Sequence, residues 1–222
     1  MSFASTLAEA RERFGEALQL INQLESAETE RTDPVSNTHK ALKGLVLVLI
    51  YAAVERAVNS AVDQAIYEIS SHASPSFSCA PAVLSIFHFT KIQALKACGH
   101  DKTFPKAIEL LASALSHDPV STTNNPLTPM LQNVDAKTMI SVTTLLGING
   151  YSIPGASTGR LNNLRERRNA VSHGRESASF AGERFTIVEL RRIYTCADTE
   201  INRFVEALKI HCVSRRYLVG AA

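Results

Sequence analysis

The sequence predicts an all-α protein, an antiparallel helical bundle with two long central helices and shorter peripheral helices. Apolar residues recur at steps of three and four along most of the chain, a period typical of helices that bury one face. Strand-like alternation never persists beyond a few positions. We assign residues 1–222 to a single domain, with an N-terminal helix within 1–35 and a variable excursion over 74–134.

The first helix is predicted from an amphipathic pattern near the N-terminus. Its apolar positions are Leu7, Ala10, Phe14, Ala17, Ile21 and Leu24. Charged residues occupy the opposite side, as expected of a helix packed on one face. The polar segment Thr32-Asp33-Pro34 ends the pattern, because proline does not continue a helix.

The second helix is the predicted spine of the bundle. Its apolar period begins at Leu42 and continues to about Ile69, with Ser36 or Asn37 as its N-terminal cap. The longest apolar run, 45–54, is shorter than the ~20 residues that a membrane-spanning helix needs. We therefore expect a buried core helix and no association with a membrane.

Shorter elements are predicted to surround the spine. Helices are expected over 83–98, 103–117, 135–147 and 161–173, and a long final helix over 186–212. Pro105 lies in the first turn of the second of these, which carries an apolar face. The segments 121–133 and 150–159 are predicted to be irregular, and 180–185 to be a small turn or hairpin.

Charge is unevenly distributed along the chain. The net charge of +2 gives no argument by itself for nucleic-acid binding. From Arg160 to the C-terminus, however, there are 12 Lys and Arg against 7 Asp and Glu, a balance of +5. Basic charge therefore gathers in the last third of the chain, around residues 168–173.

The cysteines and histidines show no metal-binding or redox spacing. The four cysteines form no C-x-x-C pair, which favours buried free thiols over a zinc ribbon or a redox site. The histidines lack ligand spacing, so we expect no metal and no cofactor. The N-terminus lacks the basic and apolar regions of a secretory signal, which predicts a cytoplasmic protein in a reducing compartment.

Polar residues interrupt two apolar helical stripes. Positions 161, 164, 168 and 171 follow one stripe, and only Arg168 is not apolar. An unpaired charge in a core-facing stripe costs on the order of several kcal/mol. On the spine, positions 48, 52, 55, 59, 62, 66 and 69 form a stripe that is apolar except for Glu55 and Asn59. We therefore predict that Glu55 pairs with Arg168 and orients it.

Two further polar residues follow Arg168 at the end of the same helix. Asn169 and His173 are four residues apart, about 40° around a helix, so they project from one face. Arg168 and His173 are about 140° apart and converge only because arginine is long and His173 lies at a fraying helix end. A cation, an amide and an imidazole around one space are suited to phosphodiester chemistry.

The segment Arg168-Asn169-Ala170-Val171-Ser172-His173-Gly174 resembles the Arg-x(4–6)-His signature of HEPN domains, the "higher eukaryotes and prokaryotes nucleotide-binding" helical bundles. Three other segments, 49–55, 133–135 and 180–186, resemble the MAE-like HEPN nuclease branch. The resemblance covers about 36 to 218, and within it residues 75–130 contribute nothing.

This resemblance implies a metal-independent endoribonuclease in a prokaryotic toxin–antitoxin or antiviral defence system, with an antitoxin or another defence protein as partner. It implies that Arg168 and His173 are catalytic and that Asn169 supports them. RNA supplies its own nucleophile, the 2′-hydroxyl, so the reaction needs only a base, an acid and positive charge at the phosphorane. A homodimer brings a second His173 to a composite site. With Glu55 these residues are the candidate catalytic set.

Arginines around the motif are candidate RNA contacts. Arg165, Arg167 and Arg175 flank it, and Arg191 and Arg192 extend the same path. A run of charge also marks a solvated helix face, and both interpretations stay open.

Two alternatives to an enzyme remain at this point. One is a non-catalytic HEPN module that binds RNA, a nucleotide or a partner protein through the same cleft. The other is a structural helical adaptor, which does not explain why Glu55 and Arg168 interrupt apolar stripes.

Overall fold

The computed structural model describes residues 2–30 and 33–220. In chain order its α-helices are α1 (Phe3–Thr29), α2 (Asn37–Ser71), α3 (Pro81–Phe87), α4 (Phe89–Ala97), α5 (His100–Ala114), α6 (Ala136–Leu145), α7 (Gly155–Ser172), α8 (Ala178–Glu183) and α9 (Ile187–Val213). Short 3₁₀ turns cover Ser76–Ser78 and Thr128–Asn133. The described ranges contain no β-strand, so the predicted all-α class is confirmed.

The predicted spine is present as α2, which packs against α1, α7, α8 and α9. Ser36 caps it, since its hydroxyl accepts a hydrogen bond from the backbone N–H of His39. Leu47 and Ile50 of α2 are fully buried against the other long helices. The predicted break at Thr32 lies outside the described residues, whereas α1 has the predicted amphipathic face.

Helix α2 is long and apolar enough, by length and composition alone, to cross a membrane. Its most apolar 18-residue window has a mean hydropathy of 1.7, and 61% of that window is buried inside the structure. Such burial is typical of the central helix of a protein core. The apolar side chains that α2 would offer to lipid are thus largely used by the bundle itself.

Several short elements differ from the prediction. The helix expected over 83–98 is divided at His88 into α3 and α4. Helix α5 begins at His100, so Pro105 lies inside it. Because proline has no N–H, the carbonyl four residues before it receives no helical hydrogen bond, and that carbonyl is near the exposed start of the helix. The turn or hairpin predicted over 180–185 is wrong, because Ser177 caps a helix, α8. Helix α7 starts at Gly155, within the predicted loop.

Helix α8 crosses α2 unusually closely. A Cβ atom on Gly44 would lie 2.1 Å from the carbonyl oxygen of Ala178, and one on Gly182 would lie 2.0 Å from the carbonyl oxygen of Lys40. Neither position therefore has room for a side chain. This contact fixes α8, and with it the segment that follows α7, against the first turns of the spine.

The excursion over 74–134 carries the least buried helices. No residue of α4 or α5 is buried. The predicted apolar face of α5 exists but faces solvent, with Phe104, Ile108, Leu111 and Leu115 between 60% and 74% exposed. The core of the bundle therefore does not depend on this pair of helices.

Candidate active site at the end of α7

The end of α7 is closed by a defined hydrogen-bond pattern. The backbone N–H of Gly174 donates to the carbonyl of Val171, and that of Arg175 donates to the carbonyl of Ala170. Gly174 has a φ of +67°, a conformation that suits glycine. This is the Schellman arrangement, and it agrees with the predicted helix stop. It holds His173, the last residue before the glycine, in an exposed position at the helix end.

Arg168 is held by two neighbours on the spine. Its Nη2 donates to Oε1 of Glu55 across 2.9 Å, and its guanidinium carbon lies 3.8 Å from the ring centroid of Tyr51. The side chains of Arg168 and Glu55 are 15% and 29% exposed. The predicted pairing of these two residues is present, and the ring contact adds a second constraint on the guanidinium.

Tyr51 was not among the sequence-predicted site residues. It is buried, and its hydroxyl donates to the carbonyl of Val134 across 3.1 Å. Burial, reinforced by the nearby charge of Glu55, raises the pKa of Tyr51 to about 12, so the ring is neutral under Arg168. In the sequence, Tyr51 could have been identified by its position four residues before Glu55, one turn away on the same side of the helix.

The stripe predicted on α2 is only half correct. Val62 and Ile66 are buried as expected. Ala52, three residues before Glu55, is exposed, so the stripe leaves the core near the site. Asn59 is satisfied locally, since its amide donates to the carbonyls of Glu55 and Leu131. Glu55 therefore lies at the boundary between core and solvent.

Asn169 is oriented by the 3₁₀ turn before α6. Its Nδ2 donates to Oδ1 of Asn133 across 3.4 Å, and its own Oδ1 is buried and has no partner among the described residues. In that same part of the chain no hydrogen bond joins the side chains of Arg168, Asn169 and His173 to one another. The structure thus places the three at one helix end without a direct hydrogen bond among them.

Two of the three arginines predicted to contact RNA have carboxylate partners. Arg165 is paired with Asp135, the cap of α6, and Arg167 is paired with Glu176 at 3.2 Å. Arg175 is exposed and, within residues 2–30 and 33–220, makes no ion pair. Of the three, Arg175 is the one whose charge is not already neutralised by this chain.

The site thus presents a fixed guanidinium, an amide and a solvent-facing imidazole. Arg168 supplies a positive charge whose position is set by Glu55 and Tyr51. His173 supplies an exposed imidazole, a side chain able to donate or accept a proton in catalysis. Among the residues that the structure describes, no group of three or more His, Cys, Asp or Glu is arranged to hold a metal ion. These groups are suited to a reaction in which negative charge develops on phosphate oxygens.

A comparison with known protein families finds one match. The family model described as RiboL-PSP-HEPN matches residues 9–213, a range that includes Tyr51, Glu55 and the whole motif 168–173. The matched range begins within α1, earlier than the resemblance noted in the sequence, which starts at about residue 36. The match does not identify the MAE-like branch, so membership of that branch stays a prediction. No curated protein and no solved structure matches the chain.

Proposed function

The chain belongs to the RiboL-PSP-HEPN family, and from that premise we propose that it is a metal-independent endoribonuclease. The observation that carries this proposal is the guanidinium of Arg168, held by Glu55 and Tyr51 and placed five residues before the exposed His173. A freely mobile arginine has no such fixed position. The site therefore offers a preorganised charge for a phosphate group.

The reaction follows from the chemistry of RNA. The 2′-oxygen attacks the adjacent phosphorus, its proton passes to a base, and the bond from phosphorus to the 5′-oxygen breaks as an acid protonates that oxygen. The products are a 2′,3′-cyclic phosphate and a 5′-hydroxyl. Neutral His173 serves as base or protonated His173 as acid, and Arg168 stabilises the phosphorane. Glu55 and Asn169 position these groups.

We further propose that the active form is a homodimer. One imidazole does not serve both ends of an in-line displacement, so a second His173 must come from a second copy. An exposed apolar strip on α2, which ends one turn before Glu55, suits this contact. It includes Leu45, which is 43% exposed, and the exposed Ala52 one turn before Glu55.

RNA binding and biological context complete the proposal. Arg175 contacts a phosphate directly, whereas Arg165 and Arg167 hold the site together through their carboxylate partners. An antitoxin or another defence protein restrains the activity in the cytoplasm of a prokaryotic cell.

Product analysis tests the ribonuclease. Total RNA is incubated in EDTA with the wild-type protein, with His173→Ala and with His100→Ala, which removes an exposed histidine from α5. Cyclic phosphate ends are expected from the wild type and from His100→Ala, and their loss is expected in His173→Ala. RNA binding without any cleavage by the wild type would instead establish the non-catalytic module.

Mixing experiments test the composite site. Wild-type protein is equilibrated with increasing amounts of His173→Ala, so that most wild-type chains exchange into mixed dimers. If both imidazoles are needed, cleavage per wild-type chain falls toward zero. Unchanged activity at a large excess of the variant, with mixed dimers verified by mass, would rule out the shared site.

A further inference from the structure

A groove between α7 and α9 has no role in the site described so far. It consists of two adjoining cavities of about 500 and 230 Å³. Arg160, near the start of α7, and Arg192, near the start of α9, line both cavities. The two cavities therefore form one continuous surface, which we call the α7–α9 groove.

The charge of this groove is available for a ligand. Arg160 and Arg192 are exposed, and neither forms an ion pair within the described ranges. Arg191 also lines the larger cavity, but its guanidinium already contacts Glu25 and Asn22 on α1.

Two carboxylates also line the cavities. Glu200 is paired with Arg203, and Glu189 is hydrogen-bonded to Thr186 at the start of α9 and within electrostatic range of Arg192. Arg160 and Arg192 thus present positive charge that no ion pair holds, which favours an anion.

The remaining walls of the groove are suited to part of a nucleotide rather than to an inorganic ion alone. Val188 is 55% exposed, and Thr195 and Thr199 add hydroxyl groups on the same side of α9. A cavity of about 500 Å³ lies within the range of ~300–1,000 Å³ that small-molecule sites occupy. An apolar wall for a base or a ribose therefore accompanies the two charges.

The groove is placed along the helix that carries the motif. Arg160 and His173 are 13 residues apart on α7, about 20 Å along a helix axis. Asn163 lines the smaller cavity and accepts a hydrogen bond from Nε of Arg167, which lies between the groove and the motif. Asn163 and Arg167 therefore extend the polar lining of the groove along α7 in the direction of the motif, although His173 itself lies about 140° around the helix from Arg160.

We propose that the α7–α9 groove binds the backbone of single-stranded RNA several nucleotides away from the bond that is cleaved at His173. This inference rests on the proposed ribonuclease function. Arg160 and Arg192 contact phosphates, and the wall formed by Val188 and Thr195 contacts a base or a ribose. A single strand is inferred because its bases are free to turn into a cavity, whereas a duplex offers only its outer surface.

Binding is measured on catalytically inactive protein, so that it does not depend on cleavage. Fluorescence anisotropy with a labelled single-stranded RNA oligonucleotide compares His173→Ala with His173→Ala/Arg160→Gln/Arg192→Gln over a range of salt concentrations. Each phosphate contact to a single strand contributes about 0.7 to the slope of log affinity against log salt, so losing two lowers the slope by about 1.4. We expect weaker binding together with this smaller slope.

A matched control removes two positive charges elsewhere. Lys102 on α5 and Arg215 beyond the end of α9 are exposed and, within the described ranges, make no ion pair. Lys102→Gln/Arg215→Gln in the same inactive background should keep the slope of its parent. Equal affinities and equal slopes for the groove variant and this control would overturn the assignment.

Cleavage assays separate this inference from the function it rests on. In active protein, Arg160→Gln/Arg192→Gln should raise KM for a long RNA at least tenfold and leave kcat/KM for a dinucleotide within twofold, because a dinucleotide does not reach the groove. Equal loss on both substrates would show a damaged active site instead. Absence of cleavage by the wild type, with the salt slope still reduced in the binding assay, would refute the ribonuclease and retain the groove.

Discussion

Arg168 is the residue around which the site is built. An ion pair at 2.9 Å and a ring contact at 3.8 Å hold its guanidinium from two sides. The side chains of Arg168 and Glu55 are only 15% and 29% exposed, so loss of the carboxylate charge also lowers stability, on the order of 1–3 kcal/mol. The pair in addition fixes the position of the guanidinium, and that effect appears in the rate.

Replacing Glu55 by Gln tests this distinction. The variant keeps the shape of the side chain and removes the charge that orients Arg168, so we expect kcat to fall at least tenfold while Tm falls by several degrees and the protein stays folded. Glu12→Gln, an exposed change on α1, is the control and should have the wild-type rate. A wild-type rate in Glu55→Gln would remove the proposed role of this carboxylate.

Two substitutions of Tyr51 separate the effect of its ring on Arg168 from the effect of its buried hydrogen bond to Val134. Tyr51→Phe keeps the ring under Arg168 but leaves the buried carbonyl of Val134 without its donor, so we expect a loss of about 1–2 kcal/mol in the free energy of unfolding and a nearly normal kcat. Tyr51→Leu removes the ring as well, so kcat should also fall. Urea titration and single-turnover cleavage measure the two effects. Equal kcat values in both variants would exclude a role for the ring.

His211 provides a pH-dependent contribution to stability. Burial lowers its pKa below the ordinary value of 6.5, and the carbonyl of Leu146 offsets this only in part. Above about pH 6.5 the imidazole is neutral in both states, whereas below it the unfolded chain binds the proton more readily. The free energy of unfolding should therefore fall as pH decreases from 6.5, by up to about 1.4 kcal/mol per pH unit.

His211→Gln is the matched variant for that measurement. Its unfolding free energy, determined by urea titration between pH 7 and pH 5, should depend less on pH than that of the wild type. A variant with the same slope as the wild type would place the acid sensitivity in other groups.

At the scale of the elements, α8 crosses α2 at two glycines, where the two backbones leave no room for a side chain. Gly182 lies against the carbonyl of Lys40, and backbone atoms do not move aside as a flexible side chain does. The position of α8 in turn fixes Arg184, which shares Glu176 with Arg167 just after the motif. The close crossing of α8 with α2 therefore helps to position the ion pairs of Glu176, which follows the motif.

A pair of glycine substitutions measures this contact. Gly182→Ala should lower the free energy of unfolding by about 3 kcal/mol, because its Cβ would overlap a backbone carbonyl. Gly15→Ala in α1, where a Cβ meets nothing within 4 Å, should raise it by about 0.5–1 kcal/mol through helix propensity. Thermal and urea unfolding of both variants give these values, and equal effects of the two substitutions would contradict the close crossing.

At the scale of the whole molecule, several apolar side chains are exposed in the described part of the chain, and two groups of them each lie along one helix. One is the strip on α2 with Leu45 and Ala52, next to the site, and the other is the face of α5 with Phe104 and Ile108. The first ends one turn before Glu55, and it is there that we propose a second copy binds and completes the site. The second lies on a helix pair that contributes nothing to the core.

Dilution tests the dimer at this scale. If cleavage needs two copies, activity per chain should fall on dilution below the dimer dissociation constant, in step with the loss of dimer in sedimentation experiments. Leu45→Asp places a charge on the strip and should shift the transition to higher protein concentration. Constant activity per chain across the monomer–dimer transition would contradict a shared site.

The sequence by itself determined the all-α class, the helical spine and the glycine that ends α7. These depend on local periodicity and local backbone preference, which neighbouring residues encode directly. The pairing of Glu55 with Arg168 was also predictable, because each is a costly exception in an apolar stripe and a charge needs a partner.

Only the tertiary structure decided the rest of the site. The ring of Tyr51 under Arg168, the pairing of Arg165 with Asp135 and the groove with Arg160 and Arg192 depend on how distant helices meet. Helix α8, predicted as a turn, is stabilised by its crossing with α2 rather than by its own short sequence. Side-chain periodicity identifies a polar residue on an apolar helix face. Which residue pairs with it is decided by how the helices pack across the bundle.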